Sequence, residues 1–275
     1  MYQGAFKTII VGVDFSPYSK MVVKQAKYLC KLWRTNLVLV HAIHDPVEYS
    51  PSLYMSFPNL ISEQSYEERM KKLYSIKRAS ERVIAKRGTP AALLMESAKK
   101  FPKPMIMAGH KGQSKMADFF FGSTAQMLAL NSEVPVWIQR GTKLVKPLKV
   151  LIPHDLSEQA NHSIDVVKKL SLAGPLSYEV FFVKEKPFPV LDYKTYLSLD
   201  QKLNGQNQVK IGKVLAHYPK LRIVTANGAV TEKIVKRTSK FDLMILTHHK
   251  PTGLFSKSET AELLRKVKTP VMVTH

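Results

Sequence analysis

The sequence predicts an α/β protein built from two copies of a doubly wound parallel sheet. Short apolar runs of strand length alternate with stretches of helical periodicity, and the same order of segments occurs twice along the 275 residues. The run Ile9-Ile10-Val11-Gly12-Val13-Asp14-Phe15-Ser16 is echoed by Val150-Leu151-Ile152-Pro153-His154-Asp155-Leu156-Ser157, each with an aspartate followed two positions later by a serine. A repeat fixes architecture and boundary together. Strands that alternate with helices need right-handed crossovers, which lay them side by side and parallel.

Each element follows in order. After the first strand, Met21, Val22, Val23, Ala26, Leu29, Cys30 and Leu32 fall at helical spacing, as do Ile164, Val166, Val167 and Leu170 in the second copy. Ser16 or Ser19 and Ser157 are the hydroxyls that can cap those helices. Asn36 to Ala42 and Tyr178 to Val183 read as second strands. Residues 62–87 could form one long helix, but Leu221 to Ala226 has strand character and stands just before Gly228. The matching stretch Arg82 to Arg87, just before Gly88, is therefore predicted to be a strand, with the preceding helix ending near Tyr74 to Arg78. Met105 to Ala108 and Leu243 to Thr247 are the fourth strands, and Val134 to Ile138 and Thr269 to Val273 close the two copies. The linker falls at Arg140 to Pro147, giving domains 1–143 and 144–275.

Composition narrows the classes. Cys30 is the single cysteine, which excludes an intramolecular disulfide framework and an all-cysteine metal site, and its helical position predicts burial. No apolar run approaches the ~20 residues of a membrane span, and the N-terminus lacks signal-peptide form, so the expected address is cytoplasmic. Lys and Arg number 42 against 21 Asp and Glu, a formal charge of +21, which invites nonspecific association with nucleic acid or another polyanion. Lys71-Lys72, Lys99-Lys100 and Lys168-Lys169 read as solvated helix faces. The aromatic stretch with Tyr49, Leu53, Tyr54, Met55 and Phe57 is expected to fold over its own domain, and Phe119-Phe120-Phe121 to pack the neighbouring loop.

The chemistry gathers between Gly109 and Thr124. Two residues separate Gly109 from Gly112, nine separate Gly112 from Gly122, and Ser123 and Thr124 follow at a helix start. Glycines let backbone approach a phosphate, and free N–H groups at a helix N-terminus attract anions. Lys111 and Lys115 add positive charge. Asp14, His41-Ala42 and Gly109 all stand at strand carboxyl ends, where open parallel sheets bind ligands. The pattern is neither a P-loop nor a Gly-x-Gly-x-x-Gly fingerprint.

The glycine arrangement, Asp14 and Ser16 after the first strand, and the closing Val-Pro-Val strand together resemble the universal stress protein family, in two tandem copies over nearly the whole chain. The resemblance implies Rossmann-like domains of the adenine nucleotide alpha hydrolase-like kind, each with a sheet of parallel strands. It further implies that ATP binds the first copy. Gly12, Val13 and Asp14 would line base and ribose, and Ala42 would offer backbone groups to adenine. Gly109, His110, Lys111, Gly112, Gln113, Ser114 and Lys115 would hold phosphates together with Gly122, Ser123, Thr124 and Ala125. Asp14 would bind the ribose hydroxyls or help hold magnesium. The expected role is a non-catalytic, nucleotide-responsive stress or regulatory protein with an unknown protein partner, paired as a homodimer or as a pseudo-dimer within the chain. Val13-Asp14-Phe15-Ser16-Pro17 stands where adenylating relatives of similar fold carry a pyrophosphate loop, and no general base is evident beside the triphosphate, so hydrolysis should be slow. A basic nucleic-acid-associated protein and a slow ATPase are the alternative readings.

The second copy departs from the pattern. Thr247-His248-His249-Lys250-Pro251 replaces the early glycines, and Ser258-Glu259-Thr260 replaces Gly122-Ser123-Thr124, which removes donors and adds a carboxylate where phosphate would lie. This copy should bind ATP poorly. His154, Asp155, His248 and His249 form a candidate transition-metal set, or else hydrogen-bond within a vacated nucleotide pocket.

Overall fold

The structure is a computed structural model and describes residues 5–43, 62–110, 122–141, 144–146, 148–185, 192–248 and 256–275. It divides into two compact units, Met1–Val145 with Leu172–Gly174, and Lys146–Ser171 with Pro175–His275.

In unit 1 the elements run β1 (Thr8–Gly12), α1 (Pro17–Trp33), β2 (Asn36–Ile43), α2 (Glu63–Leu73), β3 (Glu81–Arg87), α3 (Pro90–Ala98), β4 (Pro104–Gly109), α4 (Ser123–Asn131) and β5 (Val136–Gln139). The strand order is β3-β2-β1-β4-β5, and each of these pairings is parallel. Winding reverses between β1 and β4, so their carboxyl ends flank the crevice where such sheets bind ligands. Unit 2 runs β6 (Lys149–Pro153), α5 (Asn161–Ser171), β7 (Ser177–Lys184), α6 (Tyr193–His217), β8 (Ile223–Asn227), α7 (Val230–Thr238), β9 (Leu243–Thr247), α8 (Ser256–Lys266) and β10 (Val271–Thr274). Its order, β8-β7-β6-β9-β10, is again parallel and reverses between β6 and β9.

The central strands are apolar without alternation because helices cover both faces. Ile9, Ile10, Met105, Ile106 and Met107 are fully buried in unit 1, and Val150, Leu151, Leu243, Met244 and Ile245 in unit 2. The edge strands β3 and β8 are half exposed, and charged residues such as Arg82 and Lys86 sit on the first of them.

The ambiguous 62–87 segment resolves as the repeat predicts. Ser62 caps α2, Tyr74 closes it with its N–H on Met70 O, and β3 follows. Gly88 and Gly228 terminate the equivalent strands at φ +138° and +130°, conformations that residues with a side chain rarely adopt.

Two local expectations need correction. In α1 the Ser16 hydroxyl accepts from Ser19 N at 3.0 Å and Pro17 starts the helix at once. Ser157 likewise accepts from Ala160 N at 3.2 Å, yet α5 begins only at Asn161. The second copy lacks the proline that sets φ at the first helical position. Cys30 is half-buried rather than buried. Its thiol points to Asn36 O at 3.6 Å, and desolvation pushes its pKa up to about 11, which leaves it a poor nucleophile. Among the described residues no helix is long and apolar enough to cross a membrane.

Candidate functional site

The turn after β1 sets the first wall of the crevice. Asp14 Oδ1 accepts from Ser16 N at 3.0 Å, and Phe15 between them is left-handed, with φ 63°. A bulky residue in that region is strained by roughly 1–2 kcal/mol. The Asx turn and the Ser16 cap hold it there. The Asp14 N–H is tied to Ser19 Oγ at 3.3 Å.

Phe15 thereby projects its ring onto the carboxyl end of β2. Its centroid lies 4.5 Å from that of His41, 6.0 Å from Tyr66 and 6.4 Å from Tyr74, and the Arg69 guanidinium stands 4.4 Å from it. His41 also stacks on Tyr66 at 5.0 Å. Its Nδ1 lies 2.8 Å from Val13 O, which can only accept, so this nitrogen carries the proton. Val13 N donates to Val40 O, so both backbone polar groups of Val13 are engaged within the turn.

Gly12 has a packing reason of its own, since a Cβ there would come within 2.9 Å of Leu94 Cδ1 on α3. Ala42 is buried inside β2, in register with Lys86 of β3.

The second wall is built at the end of β4. The His110 carbonyl accepts from Gly122 N at 2.8 Å, which fastens the start of α4 beside the carboxyl end of β4. Gly122 is the N-cap in extended geometry, φ −60° and ψ 141°, and as a glycine it offers no side chain of its own to cap the helix. The first-turn N–H groups, from Ser123 to Ala125, have no intrahelical acceptor, and the helix dipole adds partial positive charge there. Ser123 is exposed, Thr124 half-buried and Ala125 buried. Lys111, Gly112, Gln113, Ser114 and Lys115, with Phe119-Phe120-Phe121, lie outside the described residues, as does the aromatic stretch from Tyr49 to Phe57.

His110 is locked from behind. Its Nδ1 lies 2.7 Å from Tyr18 Oη and 3.2 Å from Gln139 O, while Tyr18 Oη donates to Gln139 O at 2.9 Å. Burial raises the Tyr18 pKa, opposed by the charge of Arg140. Arg140 itself is buried just past β5, and desolvation lowers its pKa to about 10. Sequence reasoning missed Tyr18, Arg69, Tyr74 and Arg140. Tyr66 stands four positions before Met70, at helical spacing, but nothing in that pattern announces that its ring meets Phe15.

In unit 2 the same turn recurs. Asp155 Oδ1 accepts from Ser157 N at 2.9 Å, and Leu156 is left-handed at φ 64°. His154 Nδ1 accepts from Leu156 N at 2.9 Å. His248 Nδ1 lies 3.4 Å from Thr260 Oγ1, and its ring meets that of His275 edge-on at 6.0 Å. No group of three or more His, Cys, Asp or Glu among the described residues is arranged to hold a metal ion, so His154, Asp155 and His248 do not form a metal set by themselves, and His249 lies outside the described residues.

The whole chain superposes on a universal stress protein from Archaeoglobus fulgidus with a TM-score of 0.66 at 16% identity, covering 99% of each chain. A Pseudomonas aeruginosa protein matches 98% of this chain and 93% of its own with a TM-score of 0.66 at 12% identity. These likenesses show the α/β fold. In sequence, a universal stress protein of Thermus aquaticus is 25% identical over 149 residues, 49% of this chain and 99% of that protein. The universal stress protein family pattern matches residues 5–140, the stretch that carries the Asp14 turn, the tied β4–α4 junction and α4. Residues 5–140 are thus a domain of the universal stress protein family.

Proposed function

We propose that unit 1 binds an adenine nucleotide, ATP with a magnesium counterion, and that the protein works without catalysis as a nucleotide-responsive stress or regulatory protein. The observation that carries this reading is the glycine-started N-terminus of α4, tied by the His110–Gly122 hydrogen bond to the carboxyl end of β4 at the point where the winding reverses. Phosphates would lie on the first-turn N–H groups and the Ser123 and Thr124 hydroxyls. The half-buried ring of Phe15, packed against His41 and Arg69, would border the base. The Asp14 carboxylate, at the same turn, would serve ribose hydroxyls or magnesium.

His41 and His110 each have Nδ1 near a backbone carbonyl, Val13 O and Gln139 O, which fixes the orientation of each ring. Unit 2 is read as a second, degenerate copy of the same domain type.

Calorimetric titration of ATP into the full chain and into Gly122→Glu tests the reading. The expected result is one site per chain, lost in the variant because a carboxylate then occupies the phosphate position. Absence of ATP binding by the unaltered chain would overturn it.

A further inference from the structure

The helix α1 carries a row of cations and no carboxylate. Lys20, Lys24, Lys27 and Lys31 fall within an arc of about 60° around its axis, no other residue of the helix falls in that arc, and Arg34 follows at the C-cap. The row runs about 16 Å along the helix. Val22, Val23, Ala26 and Leu29, on the remaining sides, are buried against the sheet, so the row is held on a rigid support. Exposed helix faces elsewhere in the chain mix the two signs: Glu96 pairs with Lys100 at 2.7 Å at the end of α3, and Glu262 with Lys266 at 2.6 Å in α8. In α1 the neighbours at i,i+3 and i,i+4 are like charges, which repel, and an anion lying along the row would remove that cost.

Among the described residues, one carboxylate pairs with the row. Glu81, its side chain 9% exposed, lies 3.6 Å from Lys27 Nζ and accepts from Lys77 N and Arg78 N at 3.0 and 3.2 Å. Lys27 also donates to Tyr74 O at 2.7 Å and Ser75 O at 2.9 Å. These bonds fasten the turn between α2 and β3 to α1 and set two more exposed cations, Lys77 and Arg78, beside the row. Lys20, Lys24 and Lys31 are exposed, and among the described residues no carboxylate pairs with them.

The form of the row selects the polyanion. One strand of a nucleic-acid duplex carries a phosphate per ~3.4 Å of axis, so about five phosphates match its length. The arc holds no aromatic ring on which unpaired bases could stack and no apolar side chain to enter a bilayer.

We propose that the outer face of α1, with the Lys77–Arg78 turn, docks the phosphodiester backbone of a nucleic-acid duplex without regard to sequence. The face uses neither the start of α4 nor the Asp14 turn, so the proposal stands or falls independently of ATP binding.

The test is fluorescence anisotropy of a labelled DNA duplex of about 20 base pairs, and of the RNA duplex of the same sequence, titrated with the full chain between about 50 and 200 mM salt. The expected result is saturable binding of at least one duplex, with log K falling against log salt at a slope of about −4. Lys20→Gln with Lys24→Gln and Lys31→Gln should weaken binding about tenfold or more and flatten the slope by about 3, with circular dichroism unchanged because glutamine suits an exposed helix. The same three positions changed to arginine should retain binding. Lys202→Gln with Lys210→Gln and Lys213→Gln, exposed on α6, removes as much charge and should alter affinity by no more than about twofold. Three results would each overturn the proposal: no saturable binding of either duplex, equal losses in the two glutamine triples, or binding of phosphatidylserine vesicles through the α1 lysines with neither duplex bound.

Discussion

Replacing Ser123 with proline separates the phosphate-binding role of the α4 N-terminus from its structural role. Ser123 is the first residue of α4, so its N–H has no intrahelical acceptor, and proline is favoured at that position. The residue before a proline must be extended, and Gly122 already is, at φ −60° and ψ 141°. Folding should therefore cost nothing, and melting should shift by no more than about 2 °C, since the backbone needs no change. Binding should suffer, because one donor to an anionic oxygen is worth about 1.5–3 kcal/mol. The expected rise in the ATP Kd is about ten- to a hundredfold by calorimetry. Ser123→Ala removes the hydroxyl but keeps the N–H, so the difference between the two variants isolates the backbone donor. An ATP Kd for Ser123→Pro within a factor of two of that for Ser123→Ala, with melting unchanged, would refute the assignment of phosphate to this helix end.

Other consequences are open to measurement. Phe15→Gly relieves left-handed strain while losing the His41 and Arg69 contacts, so melting should move by only a few degrees while ATP binding weakens about tenfold if the ring supports the base. Gly88→Ala should destabilise unit 1 by about 1–3 kcal/mol in urea denaturation, because φ +138° excludes a side chain. Gly205→Ala, inside α6 with nothing within 4 Å of the new Cβ, should instead stabilise unit 2 by up to about 1 kcal/mol. Burial lowers the His275 pKa to about 4, and burial lowers that of His154 as well. With the folded value below the unfolded 6.5, the unfolded state binds more protons as pH falls, so their contribution is complete above pH 6.5 and is lost on acidification toward 4. From His275 alone the loss between pH 7 and pH 5 should be about 2 kcal/mol. His275→Phe should flatten that part of the melting profile, and an identical loss in variant and unaltered chain would argue against it.

Much of the architecture was legible because parallel strands buried on both faces leave continuous apolar runs, and because the repeat resolves what a single copy leaves open. Arg82 to Arg87 looked helical by itself. The strand before Gly228 decided otherwise, and Gly88 and Gly228 share the same positive φ. The start of α4 was readable from Gly122-Ser123-Thr124, since a glycine before a helix is a local feature. The Phe15 side was not. Its ring position depends on a backbone strain that no residue preference announces, and on Tyr66 and Arg69, brought over by α2 some fifty residues later.

The left-handed turn after the first strand occurs in both units, around Phe15 and around Leu156, although only unit 1 carries the glycine arrangement. Its recurrence in unit 2 shows that the aspartate's first duty is architectural: Asp14 and Asp155 each turn the chain at the end of the first strand of their unit. Deleting the Asp14 side chain would therefore disturb the backbone before it touched any ligand. Asp14→Asn, which keeps the oxygen that receives the Ser16 N–H and removes only the charge, is the substitution that reads out what the carboxylate contributes to a bound nucleotide.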